Sequence, residues 1–366
     1  MPAAFTPSRG TSFVASLLDW FATVMRPFPW RKTYAPYDVW ISEIMLQQTQ
    51  AGRGALYFET WMRRFPDIQS VALADEEAIL ASWEGLGYYS RARNLQSAAR
   101  RIMSEHGGGF PRCIDDIRAL PGIGEYTAAA IAAIAFNLPE PAVDANVIRI
   151  FARICDLDMP SGDKRMRILI TDTVRALMRL DAARPRLLAQ ALMELGALVC
   201  GKKPKCPECP VGKYCKALKR GTIAERPLPS KKARPQYLEM ATAIVARDNR
   251  YFIRKRPADG LWGGLWEFPG GPLLPDETPE DAAVRIATEA TRLRIAAPSA
   301  IASVRHSYTT RRVTMHGYLC EATGKTPGKS EKGNWVNRKE LAHYAFPAGQ
   351  RKLLERLGWK NESGKK

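Results

Sequence analysis

Four cysteines fall within sixteen residues of this chain, in the stretch CGKKPKCPECPVGKYC. The thiols are Cys200, Cys206, Cys209 and Cys215, so one C-x-x-C pair is flanked on each side by a gap of five residues. Because thiolate ligands must converge on one centre, this segment has to fold into a compact loop. A zinc ribbon has two C-x-x-C pairs separated by a longer gap. The spacing therefore favours a [4Fe–4S] cluster, with zinc as the alternative on spacing alone.

The charge of the chain indicates a polyanionic partner. It has 366 residues, of which 46% are hydrophobic, and a formal net charge of +18. Such an excess of lysine and arginine favours nucleic acid, because phosphate contacts supply most of the affinity of such proteins; a surface charged only for solubility is the alternative. No secretory signal is visible, and the longest apolar run is too short to cross a bilayer. We expect a cytoplasmic, nucleoid-associated bacterial protein without membrane contact.

The character of the sequence changes along the chain and predicts a multi-domain protein. Residues 1–220 carry helical periodicity broken by proline and glycine, and predict an all-α domain. Residues 221–237 contain three prolines and a basic cluster, and we interpret them as a linker. Residues 238–360 mix strand and helix patterns and predict an α+β domain, and residues 361–366 are typical of a frayed tail.

Two short stretches of the α+β segment predict a specific local structure. YLEMATAIVARDNRYFIRKRP predicts two strands around a turn at Asp248-Asn249. TPEDAAVRIATEATRL predicts a helix capped by Thr278.

A glycine corner lies between two predicted helices, in LPGIGEYTAAAIAAIAF. Glycine permits positive φ and lets a backbone approach a ligand closely, and a helix start offers free N–H groups and a positive dipole end. Residues 113–136 therefore match a helix-hairpin-helix, which grips the DNA backbone without reading sequence. The expected DNA contacts are Gly122, Ile123, Gly124 and Thr127. An ordinary corner between two helices, turned by proline and glycine, is the alternative.

These motifs together resemble the helix-hairpin-helix DNA glycosylases of the endonuclease III superfamily and, within it, the MutY adenine glycosylases. The hairpin is followed by VDANV and then by the four-cysteine loop, and the segments PWRKTYAPYDVWISEIMLQQTQ, GLGYYSRARNL and MELGALVC match the family. Beyond the linker, RPADGLWGGLWEFPGG matches its Nudix-like C-terminal domain. The resemblance implies a monomeric base excision repair enzyme with a [4Fe–4S] cluster. It would remove adenine mispaired with 8-oxoguanine or guanine in double-stranded DNA.

The resemblance assigns the chemistry to two carboxylates that act on a flipped adenine. Glu43 has Trp40 and Leu46 at i−3 and i+3 of a helix, and such apolar neighbours should raise its pKa and keep a proton for the leaving base. Asp144 opens the helix DANVIRIF, where its negative charge is favoured and can stabilise or attack the cationic sugar. Asn146 is expected to fix the geometry nearby. The alternatives are an exposed helical glutamate and a simple N-cap.

Tyr126 separates two kinds of glycosylase. In the strand-cleaving endonuclease III branch this position is a lysine, whose amine attacks the sugar. A phenol with a pKa of about 10 cannot form an imine. We therefore expect a monofunctional enzyme that uses water and leaves an abasic site, with Tyr126 lining the sugar pocket. The alternatives are a bifunctional glycosylase/lyase and a non-catalytic protein that binds damaged DNA.

The resemblance also implies contacts with the bases. Arg31 and Gln190 are similar to residues of the adenine pocket. Gln48 and Tyr88 are similar to residues that fill the base stack and lie against the oxidised guanine. Surface polar residues and a packed aromatic ring are the alternatives.

The C-terminal domain departs from the Nudix hydrolase pattern. Glu277 and Arg285 keep the hydrolase spacing, but Ile286 and Ala290 stand where carboxylates should be, which leaves Glu289. Because one helical carboxylate cannot hold the metal that binds the diphosphate, we expect no nucleotide hydrolase activity. The domain would instead read 8-oxoguanine.

Two further departures concern the recognition loop and the cysteines. The usual Phe-Ser-His is replaced by Tyr308, Thr309 and Thr310. The hydroxyl of Thr309 can still donate a hydrogen bond, whereas Thr310 replaces the histidine. The sequence therefore does not determine how strongly the protein discriminates 8-oxoguanine from guanine. The first cysteine gap is one residue shorter than is usual in the family, which predicts a tighter loop.

Overall fold

The chain forms two compact units. The computed structural model describes residues 5–180, 184–230, 235–257, 262–308, 311–323 and 333–359. The first unit comprises Met1–Leu73 and Asn94–Lys231, and the second comprises Ala74–Arg93 and Lys232–Lys366. The later boundary falls inside the predicted linker, 221–237. Residues 74–93, which the sequence analysis assigns to the helical domain, group instead with the second unit.

The first part of the chain is helical, as the periodicity predicts. In chain order, the helices before the first strand are α1 (Pro7–Val24), α2 (Pro36–Leu46), α3 (Ala51–Arg64), α4 (Ile68–Leu73), α5 (Glu76–Trp83), α6 (Ser90–Glu105), α7 (Ile114–Ala119), α8 (Glu125–Ile134), α9 (Ala145–Cys155), α10 (Lys164–Met178), α11 (Pro185–Leu198) and α12 (Lys216–Arg220). Proline stands in the first turn of α1, α2 and α11, where its missing N–H costs nothing. In the part of the chain that the structure describes, no helix is both long and apolar enough to cross a bilayer.

Helix α8 lies at the centre of the first unit. Every residue from Thr127 to Ile134 is buried, which a helix can satisfy only if neighbours surround it. It packs against α2 and α11, and α11 packs against α9. The ends of α2, α8 and α9 are thereby brought to one region, which is where the candidate site lies.

The corner between α7 and α8 contains two glycines with different structural demands. Gly122 has φ +76°, and a Cβ atom there would lie 2.6 Å from the Cβ of Asn94. Gly124 has φ −90° and is the N-cap of α8, and a Cβ atom there would meet nothing within 4 Å. The fold therefore requires glycine at the first position and has room for a side chain at the second.

The second unit is built around a mixed sheet. Its strands are β1 (Gln236–Arg247), β2 (Arg250–Lys255), β3 (Trp266–Glu267), β4 (Gly270–Pro272), β5 (Arg294–Ile295), β6 (Ser299–Tyr308), β7 (Arg311–Thr323) and β8 (Asn334–Asn337), with helices α13 (Pro279–Thr291) and α14 (Ala348–Arg356). The path through the sheet is β3-β2-β1-β7-β5, while β4 pairs with β1, β6 with β7 and β8 with β2. Strands β1 and β7 are parallel, and the other pairs are antiparallel.

Alternation along β1 explains how both faces of this sheet are covered. Ala241, Ala243 and Val245 pack with Ala282, Ala283 and Ile286 of α13. Ile244 points the other way and packs in a cluster with Phe346 and with Leu354 of α14. Because successive side chains of a strand point to opposite faces, one strand contributes to both apolar layers.

The two local signals of this segment are confirmed. Asp248 and Asn249 have φ of +47° and +58°, the backbone of a two-residue hairpin turn between β1 and β2. The hydroxyl of Thr278 accepts a hydrogen bond from the N–H of Asp281 and caps α13.

Replacing the two corner glycines by alanine should separate fold from ligand contact. We expect Gly122→Ala to lower the free energy of unfolding by about 1–3 kcal/mol, because positive φ and the clash with Asn94 both oppose a Cβ atom. Gly124→Ala should change it by less than about 0.5 kcal/mol. Urea denaturation of both variants measures this difference. Equal destabilisation by the two variants would contradict it, and a stable Gly124→Ala protein allows loss of DNA binding to be attributed to the contact itself.

Candidate active site

One cavity gathers the residues predicted for catalysis and adenine binding. It has a volume of about 380 Å³ and lies in the first unit where α2, α8, α9 and α11 meet. Seven predicted site residues line it: Arg31, Glu43, Gln48, Tyr126, Asp144, Asn146 and Gln190. Its size falls within the range of pockets that hold small organic ligands. The two candidate catalytic carboxyl groups therefore face one shared space.

Glu43 is a buried carboxyl on this cavity. It lies in α2, where Tyr37 to Met45 are almost all buried, and only 7% of the residue is exposed. Burial raises the pKa of Glu43 to about 7, the negative charge of Asp144 adds to the increase, and a hydrogen bond from Tyr126 and the charge of Arg31 oppose it. The predicted direction of the shift is confirmed. At neutral pH a substantial share of this carboxyl group carries a proton.

Tyr126 stands in the first turn of α8 and contacts Glu43. Burial raises the pKa of the Tyr126 phenol well above its usual range, and the neighbouring charges of Glu43 and Asp144 act in the same direction. The phenol therefore stays protonated and donates its hydrogen bond to the Glu43 carboxyl group.

Asp144 caps α9 as its sequence position predicts. One carboxylate oxygen accepts from the N–H of Val147 at 2.8 Å, and the other accepts from the side-chain amide of Asn146 at 2.8 Å. The positive end of the helix dipole favours a negative charge at this cap. Two donors and the helix end thus hold the carboxylate at a defined place on the cavity wall.

A chain of hydrogen bonds continues from Asp144 to the cysteine segment. The amide oxygen of Asn146 accepts from Arg149, which also donates to the carbonyl of Cys200 at 2.7 Å and to the carbonyl of Gly196 at 2.9 Å. A Cβ atom on Gly196 would lie 2.5 Å from the Cβ of Asn146, so glycine lets α11 approach α9 closely. Asn146 is therefore fixed from two sides, which agrees with its predicted positioning role.

Three polar residues predicted to contact bases occupy distinct parts of the cavity. Arg31 is nearly buried and Gln190 is 2% exposed, and the amide of Gln190 donates to the carbonyl of Arg186 at 3.0 Å. Gln48 is exposed and has a left-handed backbone with φ +58°. Arg31 and Gln190 therefore form the inner wall, and Gln48 lies where the cavity opens to solvent.

The sequence analysis assigned no role to a carboxylate that the structure places on the same wall. Glu194 is 1% exposed, lines the cavity, and forms ion pairs of 2.8 Å with both Arg26 and Arg31. A signal was present, because Glu194 follows Gln190 by four residues in α11 and so shares its face.

An aromatic pair forms part of the same wall. Phe28 and Trp30, which also line the cavity, are stacked with ring centroids 4.7 Å apart. Their flat faces suit a planar ligand that binds by stacking.

The hairpin combines two exposed glycines with two buried residues. Gly122 and Gly124 are exposed, whereas Ile123 is 6% exposed and Thr127 is 3% exposed. The hydroxyl of Thr127 accepts a hydrogen bond from the amide of Gln47 at 3.2 Å, which ties α8 to the end of α2. Ile123 and Thr127 are thus buried residues of the hairpin, and the DNA contacts expected of them stay predictions.

The four cysteines of the predicted metal loop line a second, apolar cavity. Its volume is about 30 Å³, and Cys200, Cys206, Cys209 and Cys215 all face it. Within the described ranges, no group of three or more His, Cys, Asp or Glu side chains is arranged to hold a metal ion. Arg153 donates to the sulfur of Cys200 at 3.4 Å and to the carbonyl of Gly201 at 2.7 Å, which anchors the loop to α9.

The predicted base contacts outside this cavity lie in the second unit. Tyr88 precedes α6, is 43% exposed and has φ +48°. Tyr308 is the last residue of β6, while Thr309 and Thr310 lie outside the described residues. The roles assigned to these residues remain predictions.

Glu277, which precedes α13, forms an ion pair with Arg285 of that helix. Arg285 binds Glu277 with two hydrogen bonds, of 2.7 and 2.8 Å, and these bonds lower the pKa of Glu277 to about 2. Ile286 is buried in the core of the unit, and Ala290 packs against that core. The two positions at which carboxylates are replaced thus serve packing.

Two family models match separate parts of the chain. A model described as a HhH-GPD superfamily base excision DNA repair protein matches residues 41–173. A model described as a NUDIX domain matches residues 240–356.

Curated relatives and a solved structure point to the same chemistry. The adenine DNA glycosylase of Rattus norvegicus is 31% identical over 94% of this chain and 77% of the rat protein. That of Buchnera aphidicola subsp. Baizongia pistaciae is 33% identical over 70% of this chain and 73% of its own length. A solved structure of a thermostable thymine-DNA glycosylase matches with a TM-score of 0.51 and 28% identity, over 59% of this chain and 100% of its own.

The buried carboxyl group should make stability depend on pH. Because the folded pKa of Glu43 lies above its ordinary value of 4.5, ionisation opposes folding, and the free energy of unfolding falls as pH rises from 4.5 towards 7. We expect Glu43→Gln to be more stable than the wild type by about 1–3 kcal/mol at pH ~8 and equal to it at pH ~4.5.

Urea denaturation at the two pH values measures this difference. Glu59→Gln, which changes an exposed glutamate of α3, is the matched control and should behave as the wild type at both pH values. A stability difference between Glu43→Gln and wild type that does not change with pH would contradict the buried, proton-carrying state of Glu43.

Proposed function

Because the chain belongs to the adenine DNA glycosylase family and therefore excises adenine from DNA in base excision repair, we propose that it acts by hydrolysis alone on adenine mispaired with 8-oxoguanine or guanine. The product is an abasic site. The observation that carries the proposal is that two carboxyl groups in unlike environments, Glu43 and Asp144, line one cavity. Pairs of this kind divide acid and electrostatic roles between them.

Glu43 is proposed as the general acid. An adenine swung out of the duplex into the cavity accepts the Glu43 proton on a ring nitrogen as the bond between that base and the sugar breaks. The base leaves with the bonding electron pair and is neutralised by this proton. The Glu43 carboxylate then accepts a proton from the attacking water, which restores its starting state.

Asp144 is proposed to stabilise the sugar cation. Loss of the base leaves positive charge on the sugar ring, and a carboxylate held by Val147 and Asn146 offers a fixed negative charge without moving. An oxygen of the Asp144 carboxylate can also form a transient covalent bond to the sugar, and water then displaces the carboxylate.

Tyr126 supports the proposal that the DNA strand stays intact. Strand cleavage by related enzymes needs an amine that forms an imine with the sugar. At this position the chain has a phenol whose pKa is raised by burial and which hydrogen-bonds Glu43. A protonated phenol can orient the acid but cannot form an imine.

Recognition of 8-oxoguanine is proposed for the second unit. The similarity to a NUDIX domain and the packed Ile286 favour a domain that reads a nucleotide over one that hydrolyses it. We assign the contact to Tyr88 and to the strand end at Tyr308, continued by Thr309 and Thr310.

The hairpin and the net charge support DNA backbone contacts and a nucleoid location. Gly124 leaves open space at the start of α8, where unpaired N–H groups can meet a phosphate. With a net charge of +18, the protein is proposed to act as a monomer in the cytoplasm, bound to the nucleoid.

A [4Fe–4S] cluster is the proposed cofactor of the cysteine loop. Cys200, Cys206, Cys209 and Cys215 face one apolar cavity, and four thiolates are the ligand set of such a cluster. When bound, the cluster would hold the loop together and present its lysines to DNA.

Single-turnover adenine release tests the activity. Duplexes with A:8-oxoG, A:G and A:T pairs are compared for the wild type, Glu43→Gln and the exposed control Glu59→Gln. We expect release from the two mispairs, a rate lowered about 10²–10⁴-fold by Glu43→Gln, and no change with the control.

Three outcomes would contradict parts of this proposal. A wild type that binds the duplex but releases no base would favour a non-catalytic damage-binding protein. Unchanged release by Glu43→Gln would remove the acid assignment. A borohydride-stable adduct between protein and DNA would support a bifunctional lyase.

Metal analysis tests the cofactor. We expect iron and acid-labile sulfide in equal amounts in the purified protein, and loss of both in Cys206→Ser, with the scattered Cys113→Ser as the control. A colourless protein with stoichiometric zinc would overturn the cluster in favour of a single-ion site.

A further inference from the structure

A buried cluster of one carboxylate and two guanidinium groups forms one wall of the adenine cavity. Glu194 pairs through one oxygen with Nη1 of Arg31 and through the other with Nε and Nη2 of Arg26, each at 2.8 Å. The side chains of Glu194 and Arg31 are only 1% and 9% exposed, whereas that of Arg26 is 38% exposed. All three residues line the cavity that also holds Glu43.

Arg31 is held in place by three kinds of contact. Its guanidinium lies over the rings of Phe28, at 5.0 Å, and Phe21, at 5.7 Å. It donates to the carbonyl of Arg26 at 2.9 Å. Of these contacts only Glu194 supplies negative charge, so the carboxylate both orients Arg31 and neutralises it.

The guanidinium group of Arg31 also includes one buried donor without a partner. Its Nε is buried and, among the described residues, has no hydrogen-bond partner. A buried donor without a partner costs free energy, which the other contacts of Arg31 must offset.

We propose that Glu194 is a positioning residue: its carboxylate cancels the charge of Arg31 and aims the guanidinium into the cavity, so that Glu43 keeps the proton that it delivers to adenine. This inference rests on the proposed glycosylase activity. It gives α11 a part in the chemistry, although Glu194 itself need not touch the base.

The electrostatics around Glu43 support this role. Burial and Asp144 raise the pKa of Glu43, whereas Tyr126 and Arg31 lower it. An unneutralised arginine in a buried site stabilises a nearby carboxylate more strongly than a paired one does. Without Glu194, the balance would therefore shift towards ionised Glu43, which has no proton to give.

The charged and titratable groups that share the cavity with Glu43 come from each surrounding element. They are Arg26 and Arg31 before α2, Tyr126 at the start of α8, Asp144 at the cap of α9, and Glu194 in α11. Because two of these groups are cations paired with a single carboxylate, removal of that carboxylate leaves an excess of positive charge.

The dependence of single-turnover adenine release on pH tests the proposal. A general acid is active below its pKa, so the wild-type rate should fall as pH rises through about 7. In Glu194→Gln the pH at which the rate decreases should be lower by about 0.5–1 unit. The rate of adenine release should then be roughly three- to tenfold lower than that of the wild type at alkaline pH, and closer to it at pH ~5. Glu194→Asp, which keeps the charge, should retain the wild-type profile.

A second change reverses the charge excess. In Arg26→Gln alone, the pH at which the rate decreases should be higher than in the wild type, because Glu194 then pairs with Arg31 only. The double variant Glu194→Gln/Arg26→Gln should shift the profile back towards the wild type. Thermal melting of each variant establishes that it is folded.

The outcomes are distinct. A Glu194→Gln protein that loses the same factor at every pH has lost only its structure around Arg31, and this would overturn the proposal. A pH profile of Arg26→Gln that equals the wild-type profile would also overturn the proposal. This variant provides the test if Glu194→Gln does not fold. If the wild type releases no adenine, the proposed function fails instead, and the inference is then tested by carbon-13 NMR titration of the Glu43 carboxyl group, which must titrate at lower pH in Glu194→Gln.

Discussion

The rest of the first unit depends on keeping the carboxyl group of Glu43 out of water. A buried carboxyl is tolerated when it holds a proton or has partners, and here burial raises its pKa to about 7 while Tyr126 provides a hydrogen bond. This arrangement requires α2 and α8 to pack directly, and it requires the cap of α9 to reach the same cavity. The fully buried face of α8 satisfies the first requirement, and the contact of α9 with α11 satisfies the second.

Helix α11 links the cavity to the cysteine loop. Gln190 and Glu194 face the cavity from one side of the helix. Because Gly196 has no side chain, Asn146 can pack directly against the backbone of the helix. Cys200 follows two residues after the helix ends, and its carbonyl accepts a hydrogen bond from Arg149. A disturbance of the loop would therefore reach Asp144 through two side chains, which gives the loop a structural connection to the catalytic groups.

In the second unit, the helix that resembles a Nudix motif contributes to the hydrophobic core. Ile286 takes part in the core beneath the sheet, and Glu277 is engaged by Arg285. An aliphatic side chain in the core contributes to stability, whereas a carboxylate in the same place would need a metal or a partner. Ile286 therefore contributes to the stability of the domain, and its position carries no carboxylate that could bind a metal.

The sequence by itself determined local features of the structure: the helix caps at Asp144 and Thr278, the turn at Asp248, the apolar flanks of Glu43 and the spacing of the cysteines. These are local properties, because a cap, a turn or an apolar flank acts within a few residues. Only the tertiary structure decided that Glu194 pairs with Arg26 and Arg31, more than 160 residues away along the chain, that residues 74–93 join the second unit, and that Thr127 turns inward. Ion pairs and burial of this kind depend on which helices meet, and no spacing in the sequence specifies that.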